Sequence, residues 1–344
     1  MDSKKLGQQT LNFANPLILK SWASIVGPKE GEGPLAEYFD MILENNLDNG
    51  DKSWENTEQK LMQHSMELAL EKANLKASDL EFYLAGDLLN QIINANFTAR
   101  FLGVPFLGIY GACSTLAEGM SLASMILDGG FAKIVGFSAS SHHDTAERQL
   151  RFPTEMGSQR PMTAQWTVTG AGSYILERGT NGSSGTANAG IRVTQATVGK
   201  IVDRGVSNNN DLGSAMAPAA FDTIITNLQD TGRKIDDYDL IITGDLGSLG
   251  LNILKELLRE SGYPVKNVSD CGILIYKAEQ DTHCGGSGCG CSAVVLNYLL
   301  QKMLDGEYRR IFFIGTGALL SPSSIFQGET IPSIAHGVVL EYNL

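Results

Sequence analysis

The sequence predicts an α/β fold made of one unit used twice, stacked in five layers as α/β/α/β/α. Three observations lead there. Strand-like and helix-like stretches alternate along the 344 residues, the pattern of a largely parallel sheet covered on both faces. Three segments recur in the same order further along the chain. Two helical stretches, 113–127 and 291–304, carry small or apolar residues nearly all round, as a helix caught between two sheets must.

The elements can be justified in order. An amphipathic stretch, 58–73, precedes the β-rich run from Asp79 to Leu88. A second, 219–228, precedes the run from Asp237 to Leu246, and both runs end in Gly-Asp-Leu. The stretch from Asp128 to Val135 resembles that from Asp305 to Phe312; each follows one of the two apolar helices and leads into a strand. The run from Gly172 to Glu177 then closes the first unit as that from Gly337 to Glu341 closes the second. The three matches lie 158, 177 and 165 residues apart, so order is kept while loop lengths vary. Single Gly-Asp or Asp-Gly turns are common, but three in one order point to duplication. Each half is expected to read strand, helix, strand, helix, strand, strand. The linker-like run Gly179 to Gly185 puts the boundary between halves 1–180 and 181–344.

Composition narrows the function. Apolar residues make up 43% and charged residues 19%, enough for a sizeable core and too few charges for a disordered chain. The net charge of −12 argues against a nucleic-acid binder, which needs a basic face. No apolar run reaches the roughly 18 residues of a membrane helix, and Met1 to Gly7 shows no apolar signal core. A soluble chain is therefore expected, meeting membranes only through partners. Five cysteines are too few for a disulfide framework.

The duplicated pattern, with Cys113 opening a buried helix in Gly111-Ala112-Cys113-Ser114-Thr115-Leu116-Ala117-Glu118-Gly119, resembles the thiolase and ketoacyl-synthase fold. A narrower resemblance lies in Ser140-Ser141-His142-His143-Asp144-Thr145-Ala146-Glu147, Gly213 to Ala220, Gly285-Gly286-Ser287-Gly288-Cys289-Gly290-Cys291, Thr316 to Pro322 and Ile334-Ala335-His336-Gly337. These segments resemble the stage V sporulation protein AD family of endospore-forming bacteria along essentially the whole chain. That resemblance implies a thiolase-like fold and a subunit of the SpoVA membrane complex at the spore inner membrane. It also implies binding of dipicolinic acid, pyridine-2,6-dicarboxylate, alone or with calcium, and a part in its uptake into the developing spore. Proteins of this fold commonly pair the strand before the nucleophile helix with its copy, so a homodimer is expected, joined along the stretch from Val104 to Tyr110.

The alternative is an acyltransferase of thiolase or ketoacyl-synthase type using Cys113. Such an enzyme needs an activated thiol, basic or amide groups from the second half, and an oxyanion hole. Cys113 stands where the thiol belongs. The second half departs from the pattern. Where a catalytic His is expected, Asp245 is the nearest polar side chain, and the loop from Cys284 to Cys291 holds neither His nor Asn. His283 is the nearest, displaced substitute. A carboxylate at the base position raises a neighbouring thiol's pKa. The expectation is a binding protein with no catalytic residue.

For an anion, the starts of the two apolar helices offer free N–H groups and partial positive charge. The expected ligand contacts are Cys113, Gly288, Cys289 and Cys291 at those starts, Asp245 in the facing loop, and His142 or His143 at the rim. Glu118, one turn into the first helix, is expected to line the pocket. The connection His142 to Gln165 carries Arg148, Arg151 and Arg160 against Asp144, Glu147 and Glu155. Glu147 and Arg151, four apart, read as an ordinary surface pair. Cys289-x-Cys291 is too tight for a zinc pair, so no metal or cofactor is expected. Trp22, Trp54 and Trp166 show no spacing pattern and read as packing residues.

Overall fold

The computed structural model describes residues 4–47, 50, 52–150, 160–179 and 190–342. Arg151, Glu155 and the predicted linker from Thr180 lie outside them. The first run of elements is β1 (Leu17–Val26), α1 (Trp54–Ala73), β2 (Phe82–Asp87), α2 (Ile93–Leu102), β3 (Phe106–Gly108), α3 (Thr115–Asp128), β4 (Ile134–Ser141), α4 (His143–Leu150), β5 (Trp166–Thr167) and β6 (Gly170–Arg178). The second is β7 (Arg192–Thr197), α5 (Leu212–Thr231), β8 (Leu240–Thr243), α6 (Gly247–Glu260), β9 (Val268–Asp270), β10 (Gly286–Ser287), α7 (Cys289–Leu304), β11 (Arg310–Ala318) and β12 (Ser333–Glu341).

Two five-stranded blocks carry the same order, β1-β6-β4-β2-β3 and β7-β12-β11-β8-β9. The pairing Arg192↔Ile18 joins them edge to edge. Each five-stranded block therefore holds one strand more than the expected four, β3 in the stretch Val104 to Tyr110 and β9, each preceded by a further helix, α2 and α6; α4 and the short pair β5 and β10 lie outside the blocks. β3 and β9 are three residues long, too short for alternation to register. The sheets are also less parallel than expected. β6 runs antiparallel to β4 and β1, and β12 to β11 and β7. The turn from β11 to β12 has no full crossover helix, so the chain returns antiparallel.

The layers follow from what each helix covers. α3 lies between β4 and β2 on one side and β12 and β11 on the other. α7 packs beside α3 and over β6, β4 and β1. α1 and α2 cover the outer face of the first block, and α5 and α6 that of the second. This is the five-layer arrangement. Twelve of the sixteen residues of α7 are buried, which accounts for its largely apolar surface. The outer helices have capped ends: Ser53 accepts the Asn56 N–H before α1, and Asp211 that of Ser214 before α5. Among the described residues, no helix is long and apolar enough to cross a membrane.

Candidate functional site

Cys113 does not sit inside its helix. α3 starts at Thr115, and residues 111–114 form a tight turn before it. Ser114 N–H donates to the Gly111 carbonyl at 3.0 Å and Thr115 N–H to that of Ala112 at 3.2 Å. Ala112 holds φ 50°, a left-handed conformation costing a non-glycine residue about 1 kcal/mol or more. The turn packs directly on β11. A Cβ on Gly317 would come within 2.3 Å of the Gly111 carbonyl oxygen, so only glycine fits there. Cys113 ends up 5% exposed between the two blocks.

Asp245, from the end of β8, lies against this thiol. Its Oδ1 accepts the Thr316 hydroxyl at 2.7 Å and its Oδ2 the Gly288 N–H at 2.9 Å. Burial, then the Asp245 charge and the neighbouring Cys289, push the Cys113 thiol well above the ordinary range; only the Gly288 N–H works the other way. Burial and the Asp245 carboxylate both favour the protonated thiol.

Three of the N–H groups at the start of α7 are already used. Gly288 N–H serves Asp245, Gly290 N–H serves the Ser141 hydroxyl at 3.1 Å, and Cys291 N–H the Gly288 carbonyl. The protein's own carboxylate fills the anion position at the start of α7. Gly288 has φ 95°, and a Cβ there would meet Ser141 Oγ at 2.8 Å.

Cys113 lines a cavity with Leu88, Tyr110, Ala146, Leu150, Thr167 and Ser287. It measures about 20 Å³, room for about one water molecule. Tyr110, Leu150 and Leu320 separate it from an outer chamber of about 440 Å³. The segment 88–92 walls that chamber. Asp87 pins it by accepting the N–H groups of Leu89 and Ala95, and Gln149 by accepting that of Asn90.

The other predicted ligand residues stand elsewhere. The ring of His142 is fully used: Nδ1 accepts the Asp144 N–H and Nε2 bonds the Asn46 carbonyl at 2.8 Å. Burial lowers its pKa to about 4, so it is a neutral core histidine rather than a rim group. His143 stacks on Trp166, ring centroids 3.8 Å apart, and Trp166 is thus more than a packing residue. Cys289 is fully buried and donates to the Ser140 carbonyl at 2.8 Å. Cys291 is buried next to Gly286, off the cavity wall. Glu118 lies against Gly111 and Ser114, with Oε2 buried and unpartnered among the described residues; burial raises its pKa. His283 bonds the Pro161 carbonyl through Nδ1, and its Nε2 lies 3.4 Å from Asp281 Oδ1. Glu147 is not a surface acid. It is buried and pairs with Arg160 at 3.1 Å, while Arg148 pairs with Glu55.

Sequence reasoning missed two groups. One is Thr316, flanked by Gly315 and Gly317, where two glycines already signalled close approach. The other is the buried pair Glu58 and Asp87 behind the Cys113 turn. Burial raises both, and the Asp87 charge raises Glu58 further. Asp87 belongs to the repeated Gly-Asp-Leu, a signal read for ancestry rather than chemistry.

The family described as stage V sporulation protein AD (SpoVAD) matches residues 7–341. Stage V sporulation protein AD of Bacillus subtilis (strain 168) is 49% identical over 340 residues, covering 98% of each chain. Among solved structures, 3-oxoacyl-[acyl-carrier-protein] synthase III from Aquifex aeolicus VF5 superposes with a TM-score of 0.58 at 14% identity, over 95% of this chain and all of that one. A single-residue variant of Xanthomonas campestris OleA gives 0.63 at 13%, over 96% and 99%. A second OleA variant from the same organism, with bound lauric acid and lauroyl-CoA, gives 0.62 at 13%, over 96% and 100%. Likeness at this identity shows a thiolase-like fold alone.

Proposed function

The chain belongs to the stage V sporulation protein AD family, and from that membership we propose that it is a non-catalytic binding protein whose ligand is dipicolinic acid, pyridine-2,6-dicarboxylate. In this reading it supports uptake of that ligand, alone or as its calcium chelate, into the developing spore. It does so as a peripheral subunit of the SpoVA membrane complex at the spore inner membrane.

The observation that carries the non-catalytic part is Asp245 against Cys113. A condensing enzyme needs a thiolate and a donor aimed at the developing oxyanion. Here the facing group is a carboxylate that keeps the thiol protonated and occupies the Gly288 N–H. The cavity beside Cys113, one layer of side chains from the larger outer chamber, supports the ligand reading by its place between the two blocks.

A homodimer is part of the proposal. β3 is the last strand of its block, and Leu107 within it and Tyr110 just after it are each 45% exposed. A bare apolar sheet edge invites its own copy.

Calorimetric titration of the purified chain tests the reading. Dipicolinate should bind saturably, and acetyl-CoA should give neither heat nor a mass increase at Cys113. The reverse result would favour acyl transfer through Cys113, the reading that the cavity in front of its sulfur otherwise allows.

A further inference from the structure

This inference rests on the reading of the Cys113 cavity as an anion site. A dianion entering it needs positive charge, and the wall supplies none: every lining residue is uncharged. The N–H groups behind it serve Asp245 and Ser141. The nearby ionisable groups, Asp87 and Asp245, are acidic. In a low-dielectric interior such surroundings repel an anion.

One guanidinium stands a single side chain behind the wall. Thr167 lines the cavity, and its hydroxyl donates to Glu147 Oε1 at 3.3 Å. The same Glu147 oxygen takes Arg160 Nη2 at 3.1 Å. Arg160 is fixed from three other directions. Its Nη1 donates to the Gln165 carbonyl at 2.8 Å, its Nη2 to His143 Nε2 at 3.2 Å, and its Cζ lies 4.7 Å from the Trp166 ring centroid. A guanidinium only donates, so His143 accepts there and carries its proton on Nδ1. Lys29 Nζ, 4.3 Å from the same ring, adds a second positive charge. Arg160 keeps 18% side-chain exposure and Glu147 only 4%. The fork is therefore held in place by an aromatic pair and already holds a carboxylate one residue from the cavity.

We propose that Arg160 is the residue that selects a carboxylate ligand for the Cys113 cavity, and that Glu147 is the resident carboxylate with which the ligand competes. An incoming carboxylate finds a preset guanidinium fork, at the cost of releasing the Glu147 carboxylate to its remaining bond with the Thr167 hydroxyl. A neutral ligand of the same shape leaves the Arg160–Glu147 pair closed and gains nothing from it. Selection between the two follows from that difference.

The test titrates the full chain with pyridine-2,6-dicarboxylate and with neutral pyridine-2,6-dicarboxamide, in wild type, Arg160→Gln, Arg160→Lys and Glu147→Gln. Wild type should prefer the dicarboxylate. Arg160→Gln should weaken it about tenfold or more, the loss of one charge-assisted contact. Arg160→Lys should lose less, keeping the charge without the fork. Glu147→Gln should tighten binding severalfold, because a competing negative charge is removed. A purely structural network predicts the opposite sign for Glu147→Gln. Unchanged affinity in folded Arg160→Gln, or weakening in Glu147→Gln, overturns the proposal. If Arg160→Gln does not fold, Glu147→Gln decides alone. If wild type binds neither compound, the anion-site reading fails and this inference with it. If wild type binds and Arg160→Gln binds equally, only the assignment to Arg160 falls.

Discussion

Asp245 accepts the Gly288 N–H at 2.9 Å, so a carboxylate from one loop of the second block caps the helix that starts in another, directly beside Cys113. That one bond removes an anion position and holds down a nucleophile together. Its first consequence is chemical. Replacing Asp245 with Asn removes the negative charge that raises the Cys113 thiol. Alkylation of Cys113 by iodoacetamide at pH 8, followed by mass spectrometry, should become at least severalfold faster in Asp245→Asn. Equal rates would mean that access alone limits the thiol.

Acylation should fail for the same reason. Wild-type chain incubated with acetyl-CoA should show no stoichiometric acyl adduct at Cys113, because the thiol stays protonated and the Gly288 N–H is occupied. A turnover-competent adduct in the mass spectrum would contradict this.

The exposed edge at β3 gives a prediction about assembly. Wild-type chain should have a dimer mass by light scattering at micromolar concentration. Leu107→Asp should shift it toward monomer, since a charge at a paired apolar edge is costly. A monomeric wild type would leave the edge without this explanation.

Stability should depend on pH with a definite sign. Burial raises Glu30 and Asp270 to about 7, and raises Glu58 as well. Their folded forms keep protons that the unfolded chain releases. Stability from these groups is therefore present in acid and lost as pH rises from about 4.5 through about 7. His142 and His336 act in the opposite sense. Burial lowers both to about 4, so their contribution is present above about 6.5 and lost as pH falls toward 4. Between pH 6.5 and 8 only the carboxyls act, so Tm should rise on acidification across that window. Glu30→Gln should flatten the slope. A Tm that rises with pH there would assign the buried carboxyls wrongly.

Much of the fold was legible because duplication and buried helices leave long-range marks in sequence. The all-round apolar character of α3 follows from sheets on both its sides, and that of α7 from its burial against α3 and the first block. The three-residue strand β9 left no mark, since alternation needs length, and β3 was expected only through the resemblance. The site was legible only in part. Cys113, Asp245 and Gly288 come together because each is tied to a motif at a strand or helix end. His142 and His143 misled because a strand-end histidine looks the same whether it faces a cavity or the core. Only the Asn46 carbonyl and the Trp166 ring, 96 and 23 residues away, decide which way each ring turns. Cys289 and Cys291 misled because N–H groups at a helix start look free until the side chain that caps them is placed. Arg160 was discounted since formal charge in its segment cancels, although the pairing within it is selective and buried.

Whether dipicolinate binds in the cavity at Cys113 is tested most directly by calorimetric titration of dipicolinate into wild type and Cys113→Trp, each checked for folding by circular dichroism. A cavity of about 20 Å³ that must open for the ligand cannot also accept an indole. The expected result is saturable binding to wild type and a loss of at least about tenfold, roughly 1.4 kcal/mol, in Cys113→Trp. Equal dipicolinate affinity in the two folded proteins would place the ligand elsewhere and contradict the account.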